Sequence, residues 1–280
     1  MISPKRILVT GGNSGIGLAL CKQLLVDHGC HVYLCSRSVD KGRAAIDSLA
    51  LPAEAAARCT LVQLDATSDA SVSAAAATVA QTATPADPLY AIVNNAGAGL
   101  AHNVSPETIL NTNLYGPKRV VDAFLPLLSP SGRIVNVGSG AGPSYVKALG
   151  NSAAAREIMN PTSWEQVVAH ARANLGGPAD GMGGYGLSKA CLTAYTMLLA
   201  REHPGLRVNC CSPGYIITGM TAGYGATKPP EEGTVSIRHL LFEEEVGSGW
   251  YYGSDAVRSP LHYMRNPGEP AYDGAPAFPN

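Results

Sequence analysis

The sequence predicts an α/β protein in which a doubly wound parallel sheet of the Rossmann type is covered by helices on both faces. Short apolar segments of strand length alternate with segments of helix length as far as residue 211. The strand segments are continuously apolar, as in strands buried on both faces. Strands that alternate with helices form parallel βαβ units with right-handed crossovers. We therefore expect a ligand at the carboxyl ends of the strands.

Six apolar segments have the length of strands and stand before turn residues. The predicted strands are residues 6–10, 31–35, 59–65, 89–93, 133–137 and 206–210. The segments between them carry apolar or alanine-rich patterns of helical length. The predicted helices are residues 15–28, about 40–50, 69–81, about 162–175, from 185 onwards, and about 231–243. The fourth helix opens with Thr162-Ser-Trp-Glu165, which has the pattern of a capping box.

Two stretches interrupt the alternation. Residues 140–184 form a long insertion with helical character between the fifth strand and the helix that begins near Tyr185. Residues 219–280 are rich in Gly and Pro, and residues 213–280 are expected to form a substrate loop and carboxyl-terminal segment. Neither stretch indicates a second domain, so we expect one domain over residues 1–280. These stretches are expected to build the substrate pocket.

Composition excludes several classes of protein. The 280 residues carry a formal charge of −1 with only 15% charged residues, so no global field favours nucleic acid or an anionic membrane. Seven cysteines without CxxC pairs or nearby histidines predict buried thiols in a reducing compartment and no metal site. The first strand leaves no room for a signal peptide, and no apolar run reaches 18 residues. A soluble, cytoplasmic protein is expected.

A glycine-rich loop, TGGNSGIG, joins the first strand to the first helix. Such a loop turns sharply, lets the backbone approach a pyrophosphate, and offers free helix N–H groups to phosphates. A glycine-rich loop alone could be only a turn, but its place between a strand and a helix predicts dinucleotide binding. The residues expected to contact the dinucleotide here are Gly11, Asn13, Ser14, Gly15, Ile16 and Gly17.

Arg37 selects the cofactor in this interpretation. It follows the second strand, 20 residues after Gly17. An acidic residue at this position holds the ribose 2′-hydroxyl of NAD, whereas an Arg accepts the 2′-phosphate of NADP. The first acid after the strand, Asp40, lies too far along the chain. The guanidinium suits phosphate geometry, so NADP(H) is the predicted cofactor; the alternative is that Arg37 is a solvated surface residue.

Two more strand ends could serve the adenosine half of the cofactor. Asp65, followed by Ala66, ends the third strand and is placed to accept a hydrogen bond from the adenine amino group. The NNAG motif ends the fourth strand, and its Asn95, Ala96 and Gly97 could form the floor of the adenine–ribose channel. Taken singly, both strand ends could equally be turn formers.

Tyr185 and Lys189 lie four residues apart, on one face of a helix. A free tyrosine has a pKa of about 10, and an adjacent ammonium would lower the pKa of the phenol towards the working pH. Lys189 could also hold the nicotinamide ribose. The spacing alone is common in exposed pairs. Ser139, which closes the fifth strand, and Asn113, in NTNLYG, favour a catalytic interpretation.

Together these motifs resemble the short-chain dehydrogenase/reductase family. TGGNSGIG, NNAG, Asn113, Ser139, YGLSK and PGYIIT follow that family's order over about residues 5–220. The resemblance implies that Tyr185 donates a proton and Ser139 orients the substrate carbonyl. It also implies that Lys189 lowers the pKa of Tyr185, and that Asn113 anchors a water that links Lys189 to solvent. The residues that would contact the nicotinamide are Pro213, Gly214, Ile216 and Thr218.

Three departures from the family pattern refine this expectation. Ser139 and Tyr185 are 46 positions apart, where compact members need only about a dozen residues. Such an insertion is similar to the carbonyl-reductase-like branch, which includes plant ketone reductases; there it covers the helix face used for oligomerisation, which implies a monomer. Gly138 stands where a second Ser is common. Asn13 stands where some NADP-dependent relatives carry a basic residue, so Arg37 would supply most of the 2′-phosphate contact.

The expected function is NADPH-dependent reduction of a small ketone or aldehyde, apolar because the chain has little charge. The alternatives are a non-catalytic NADP-binding sensor or scaffold, an alcohol dehydrogenase acting in the oxidative direction, and a reductase of a C=N or C=C bond. Four aromatic residues could line the substrate pocket or serve packing. They are Trp164, Trp250, Tyr251 and Tyr252.

Overall fold

An eight-stranded sheet forms the centre of the computed structural model, which describes residues 3–99 and 103–275. The strands are β1 (Arg6–Val9), β2 (His31–Ser36), β3 (Cys59–Gln63), β4 (Leu89–Asn94), β5 (Leu128–Val137), β6 (Arg207–Cys211), β7 (Tyr251–Tyr252) and β8 (Arg258–Ser259). Their order is β3-β2-β1-β4-β5-β6-β7-β8, and every neighbouring pair is parallel except β7–β8. The strand order reverses between β1 and β4, which places the ligand crevice of a doubly wound sheet there.

Helices cover both faces of the sheet. They are α1 (Gly15–Val26), α2 (Val39–Ser48), α3 (Ala53–Ala56), α4 (Asp69–Val79), α5 (Pro106–Leu110), α6 (Gly116–Phe124), α7 (Ala141–Ala148), α8 (Ala153–Met159), α9 (Trp164–Asn174), α10 (Tyr185–Glu202) and α11 (Val235–Phe242). Successive strand residues point to opposite faces. Leu8 packs in one core with Phe124, whereas Ile7 packs in the other with Leu24 and Leu240. The expected fold class, with strands buried on both faces, is confirmed.

The structure differs from the predicted elements in several places. The fifth strand begins at Leu128, five residues before the predicted start. The Ser-Pro-Ser-Gly run, which in the sequence indicates a turn, lies within this strand, and the register with β4 shifts there. The chain between β4 and β5 forms α5, a π-helical turn at Asn111–Tyr115, and α6, whose prolines and glycine hide the helical period. Strands β7 and β8 have only two residues each, too few for a periodic signal.

The predicted capping box is displaced by one residue. Ser163 is the N-cap of α9, and its hydroxyl accepts from the Gln166 N–H at 3.2 Å. The Gln166 side chain reaches back and accepts from the Thr162 N–H at 2.7 Å. The helix therefore begins at Trp164, and Gln166 takes the part expected of Glu165.

The insertion covers the outer face of α10. Helices α7, α8 and α9 all pack on α10, which is buried along most of its length. Two glycines allow the close approach: a Cβ at Gly142 would lie 3.2 Å from the Ala190 nitrogen, and one at Gly186 would lie 3.2 Å from the Ala141 carbonyl oxygen. The expectation that the insertion covers this helix is thus met. Among the described residues, no helix combines the length and apolarity that a membrane span requires.

The aromatic residues considered for the substrate pocket make packing contacts, and their part in a pocket stays a prediction. Trp164 contacts the rings of Tyr115 and Tyr195 at centroid distances of 6.0 and 5.3 Å. Trp250 lies against Tyr252 and beneath the Arg258 guanidinium, while Tyr251 and Tyr252 form β7. Residues 276–280 of the predicted carboxyl-terminal segment lie outside the described residues.

Candidate active site

The predicted site residues converge at the carboxyl edge of the sheet. The glycine-rich loop follows β1, the NNAG motif follows β4, Ser139 follows β5, and the Pro213-Gly214 segment follows β6. Because these four strands are neighbours and parallel, their carboxyl ends meet at one edge. Residues separated by up to about two hundred positions in the chain are brought together there.

The glycine-rich loop has a shape that only small residues permit. Gly11 and Gly15 have φ angles of +63° and +51°, in the left-handed region that favours glycine. A Cβ at Gly17 would overlap the Gly11 carbonyl oxygen and the Asn95 side chain. Helix α1 begins at Gly15 with no acidic residue in its first turn. Its amino-terminal N–H groups and dipole thus suit a phosphate.

The NNAG motif supports this loop from below. The Asn95 side-chain amide donates to the carbonyl oxygens of Thr10 and Gly11 at 2.9 and 3.2 Å. The backbone N–H groups of Asn95 and Ala96 both donate to the Thr10 hydroxyl at 3.0 Å. Sequence reasoning missed Thr10, which is buried, because its role depends on a strand 83 residues away. Contact of Asn95, Ala96 and Gly97 with the cofactor stays a prediction.

Arg37 and Asp65 lie at the ends of β2 and β3. Arg37 lies one residue beyond β2, and its side chain is exposed. The glycine-rich loop is connected to the same strand end, because the Gly12 N–H donates to the Cys35 carbonyl at 2.9 Å. One Asp65 carboxylate oxygen accepts from the N–H and the hydroxyl of Thr67 at 2.9 and 2.7 Å. Both of these hydrogen bonds go to Oδ1 of Asp65, so they do not involve Oδ2.

Tyr185 and Ser139 form the candidate proton-transfer pair. Tyr185 begins α10 and is buried, and it makes a hydrogen bond with the Ser139 side chain. Burial raises the pKa of the Tyr185 phenol, and the hydrogen bond with Ser139 opposes that rise. The expectation that Lys189 brings the pKa of Tyr185 below its usual value is therefore wrong for this geometry, because desolvation of the phenol is the larger effect.

Lys189 lies one helical turn further along, behind the Tyr185 ring. Its Nζ is 5.7 Å from the centroid of that ring and donates to the Val137 carbonyl oxygen at 2.8 Å. Burial of the ammonium lowers the pKa of Lys189 to about 8. The ammonium is thus directed to the end of β5; its contact with the nicotinamide ribose stays a prediction.

Asn113 joins the site through the π-helical turn. Its side chain accepts from the Ala98 N–H and donates to the Ala98 carbonyl, both at 2.8 Å, and also donates to the Ser188 hydroxyl at 3.0 Å. It thereby fixes the loop after NNAG against the first turn of α10. A Cβ at Gly97 would lie 3.4 Å from Asn113 Oδ1 and 3.7 Å from Lys189 Nζ, so both groups border one small space. The water relay between them stays a prediction.

Packing explains two glycines that lie beside Ser139 and Tyr185. A Cβ at Gly138 would lie 2.6 Å from the Cys210 sulfur, so Cys210 occupies the space that a second Ser would need. Gly99 has a φ of +147°, and a Cβ there would overlap the Tyr185 ring. Sequence reasoning missed the contact of Gly99 with Tyr185; the local signal for it is a second glycine two residues after NNAG.

The segment after β6 closes over the glycine-rich loop. Gly214 has a φ of +91°, and Ile216 is buried. Thr218 begins a short 3-10 turn, and its methyl group would lie 3.1 Å from a Cβ at Gly15. The predicted nicotinamide segment therefore lies against the predicted phosphate loop, as one continuous crevice requires. Across residues 3–99 and 103–275, no group of three His, Cys, Asp or Glu side chains is placed to hold a metal ion.

Comparison with known proteins identifies the family. A family model described as short chain dehydrogenase matches residues 5–161. The (+)-neomenthol dehydrogenase of Arabidopsis thaliana is 31% identical, covering 91% of this chain and 98% of that protein. Carbonyl reductase (NADPH) 1 of Homo sapiens is 30% identical, covering 83% and 89%. The structure of salutaridine reductase from Papaver somniferum has a TM-score of 0.76 at 29% identity, covering 89% and 99%.

These similarities cover 89–91% of the chain, well beyond the residues that the family model matches. The order of the strands agrees with the structural similarity. The chain belongs to the short-chain dehydrogenase/reductase family and is an oxidoreductase of its carbonyl-reductase-like kind.

Proposed function

We propose that this protein reduces an apolar ketone or aldehyde with NADPH, and that Tyr185 gives the proton to the carbonyl oxygen. The observation that carries the proposal is the buried hydrogen bond between Tyr185 and Ser139, with Lys189 one turn behind it. The same three groups lie beside a loop that suits a dinucleotide. Bound in that crevice, NADPH supplies the hydride.

The protein's own groups would act on the carbonyl oxygen. Because burial raises the pKa of Tyr185, the phenol holds its proton at neutral pH and can donate it. The Ser139 hydroxyl would give a second hydrogen bond, which orients the carbonyl and stabilises the charge that develops on its oxygen. The Lys189 ammonium, 5.7 Å from the phenol ring centroid, would stabilise the phenolate that forms when the proton leaves.

The residues present fit NADP(H). Gly11, Gly15 and Gly17 allow the tight turn of this loop, since a Cβ there would meet other parts of the protein, and the start of α1 faces the loop. Arg37 places a guanidinium at the end of β2, where a 2′-phosphate would need one. Human carbonyl reductase (NADPH) 1, among the similar proteins, carries that cofactor in its name.

The substrate is proposed to be apolar because apolar side chains border the mouth of the crevice. Met264 lies against Gly140, next to Ser139, and Met220 lies against Gly97, near Lys189. Ile217, in the segment after β6, is 50% exposed, and Met264 is 54% exposed. Large apolar side chains that remain exposed beside a catalytic group favour a ligand that covers them.

A substrate panel tests the proposed function. NADPH absorbance would be followed with menthone, 4-nitrobenzaldehyde and phenanthrenequinone, with NADH and carbonyl-free mixtures as controls. We expect carbonyl-dependent loss of absorbance with NADPH and much slower loss with NADH. No consumption with any member would contradict a carbonyl reductase and favour the non-catalytic NADP-binding scaffold, which needs the loop but not the Ser139–Tyr185 pair.

The pKa of Lys189 predicts the pH dependence of reduction. Because that pKa is about 8, the ammonium is present below pH 8 and is lost as the pH rises through it. We expect kcat/KM to be level below about pH 7 and to fall roughly tenfold per pH unit well above 8. In Lys189→Arg the guanidinium stays charged, so the residual activity should lack this fall. A wild-type profile level to pH 9.5 would contradict the assignment.

The insertion supports a monomer, and we propose that the protein acts as one in the cytoplasm, without a nucleic-acid or membrane partner. Helices α7, α8 and α9 already bury the face of α10 that a partner subunit would need. Sedimentation velocity should give one species with the mass of the single chain, 28.9 kDa. A stable tetramer at micromolar concentration would contradict this prediction.

A further inference from the structure

A buried carboxylate in the insertion holds the end of the helix that carries Tyr185. We propose that Asp180 is a positioning residue that sets the place of the Tyr185 hydroxyl relative to Ser139. The inference rests on the proposed function, because it assumes that Tyr185 is the proton donor. By this inference the insertion not only covers α10 but also positions the proton donor.

Asp180 accepts hydrogen bonds at both ends of a tight loop. The side chain is buried, with the residue 8% exposed. One carboxylate oxygen accepts from the Gly184 N–H at 2.6 Å, and the other accepts from the Gly176 N–H at 2.9 Å. Gly184 is the N-cap of α10, so the next residue is Tyr185. A single carboxylate therefore connects the end of the insertion to the first residue of the catalytic helix.

Helix α10 lacks the serine cap that five other helices have. Five helices have a serine at the N-cap whose hydroxyl accepts an N–H of the first turn. These are α2, α4, α5, α8 and α9, capped by Ser38, Ser68, Ser105, Ser152 and Ser163. The N-cap of α10 is glycine and has no side chain; instead, Asp180, four residues upstream, accepts from the N–H of that N-cap residue. A carboxylate at this end also complements the helix dipole.

Gly184 needs this support because its backbone is constrained. It has a φ of +88°, and a Cβ there would lie 3.2 Å from Pro106 and 3.4 Å from Leu175. Its carbonyl accepts from the Ser188 N–H at 2.8 Å, the bond that starts α10. Loss of Asp180 would leave the buried Gly184 N–H without its acceptor, which favours fraying of the first turn. Fraying of that turn displaces Tyr185.

Asp180 would act through geometry and not through its charge. Burial and Ser139 shift the pKa of Tyr185 in this structure and Asp180 does not, whereas the charge of Asp180 raises the pKa of Tyr145. A displacement of about 1 Å between reacting groups can cost on the order of 100-fold in rate. The expected signature is therefore a slower chemical step, without weaker cofactor binding, and only while the Tyr185 hydroxyl is present.

A double-mutant cycle tests the proposal. The variants are Asp180→Ala, Asp180→Asn, Tyr185→Phe and Asp180→Ala with Tyr185→Phe, and Ser163→Ala is the matched control because it removes a helix cap in the same insertion. The readouts are the single-turnover rate of NADPH oxidation with 4-nitrobenzaldehyde, the NADPH Kd by fluorescence, and the thermal midpoint. We expect Asp180→Ala to lower the rate about 30-fold or more, with the NADPH Kd within about twofold.

In the Tyr185→Phe background the same substitution should change the residual rate less than about threefold, because there is no hydroxyl left to position. Asp180→Asn keeps one acceptor oxygen and should be intermediate, and it decides the question if Asp180→Ala unfolds below the assay temperature. A wild-type rate in both Asp180 variants, or an equal loss in both backgrounds, would overturn the positioning role. An unchanged rate in Tyr185→Phe alone would instead overturn the proposed function.

Discussion

Replacing Tyr185 with phenylalanine is expected to lower carbonyl reduction by about 1,000-fold, within the range that general acid catalysis supplies. The change removes the hydroxyl that bonds to Ser139 and leaves the ring, which packs against Gly99, in place. The glycine-rich loop is not touched, so the NADPH Kd should stay within about twofold of wild type. Steady-state kinetics on the panel's best substrate and fluorescence titration of NADPH would measure both quantities.

Tyr195 provides a matched control on the same helix. It is buried on α10, and within the described part of the chain its hydroxyl has no hydrogen-bond partner. Tyr195→Phe also removes a buried tyrosine hydroxyl from α10, but this hydroxyl does not lie beside Ser139. Turnover should therefore be unchanged. If Tyr185→Phe also kept wild-type turnover, the proton would have to come from another group, and the proposed mechanism would be wrong.

Replacing Arg37 with aspartate is expected to reverse the cofactor preference. The guanidinium stands at the end of β2, where a 2′-phosphate or a 2′-hydroxyl would lie. Charge-assisted hydrogen bonds contribute about 1.5–3 kcal/mol, and the new carboxylate would also repel the phosphate. NADPH affinity should fall by about 100-fold, while NADH affinity should rise because the carboxylate can accept from the ribose hydroxyl. Fluorescence titration with each cofactor measures the two constants.

Arg43→Asp is the control for the change in net charge. Arg43 is exposed on α2, six residues further along, and its substitution alters the charge of the chain by the same amount. It should leave the ratio of NADPH to NADH affinity close to wild type. Equal ratios in wild type and Arg37→Asp would show that Arg37 is a surface residue and that another group selects the cofactor.

Local patterns in the sequence were sufficient to predict the fold class and the main motifs of the site. The six strands, the glycine-rich loop and the Tyr185–Lys189 pair each depend on neighbours within a few residues, and the structure contains all of them, although the fifth strand begins at Leu128 instead of residue 133. The long insertion could be recognised from spacing alone. The support of the site could not, because it depends on contacts across the sheet. Thr10 meets Asn95, and Gly138 meets Cys210, only after the parallel strands have aligned.

The electrostatics of the site also needed the structure. Spacing places Lys189 one turn from Tyr185, but it does not show how deeply both groups are buried. Burial lowers the pKa of Lys189 and raises that of Tyr185, so desolvation, and not the pair alone, sets their protonation. Similarly, a glycine N-cap gives no sign of its acceptor, and only the folded insertion brings Asp180 to Gly184.

The fate of the transferred hydrogen tests the central claim most directly. The enzyme would be incubated with 4-nitrobenzaldehyde and NADPH that carries deuterium at C4, in separate reactions for the two stereoisomers, and the alcohol would be analysed by mass spectrometry. We predict that the alcohol carries one deuterium on its carbinol carbon with one stereoisomer and none with the other. An alcohol without deuterium from either stereoisomer, or no alcohol with active NADPH-bound protein, would contradict hydride transfer from the cofactor to a carbonyl carbon.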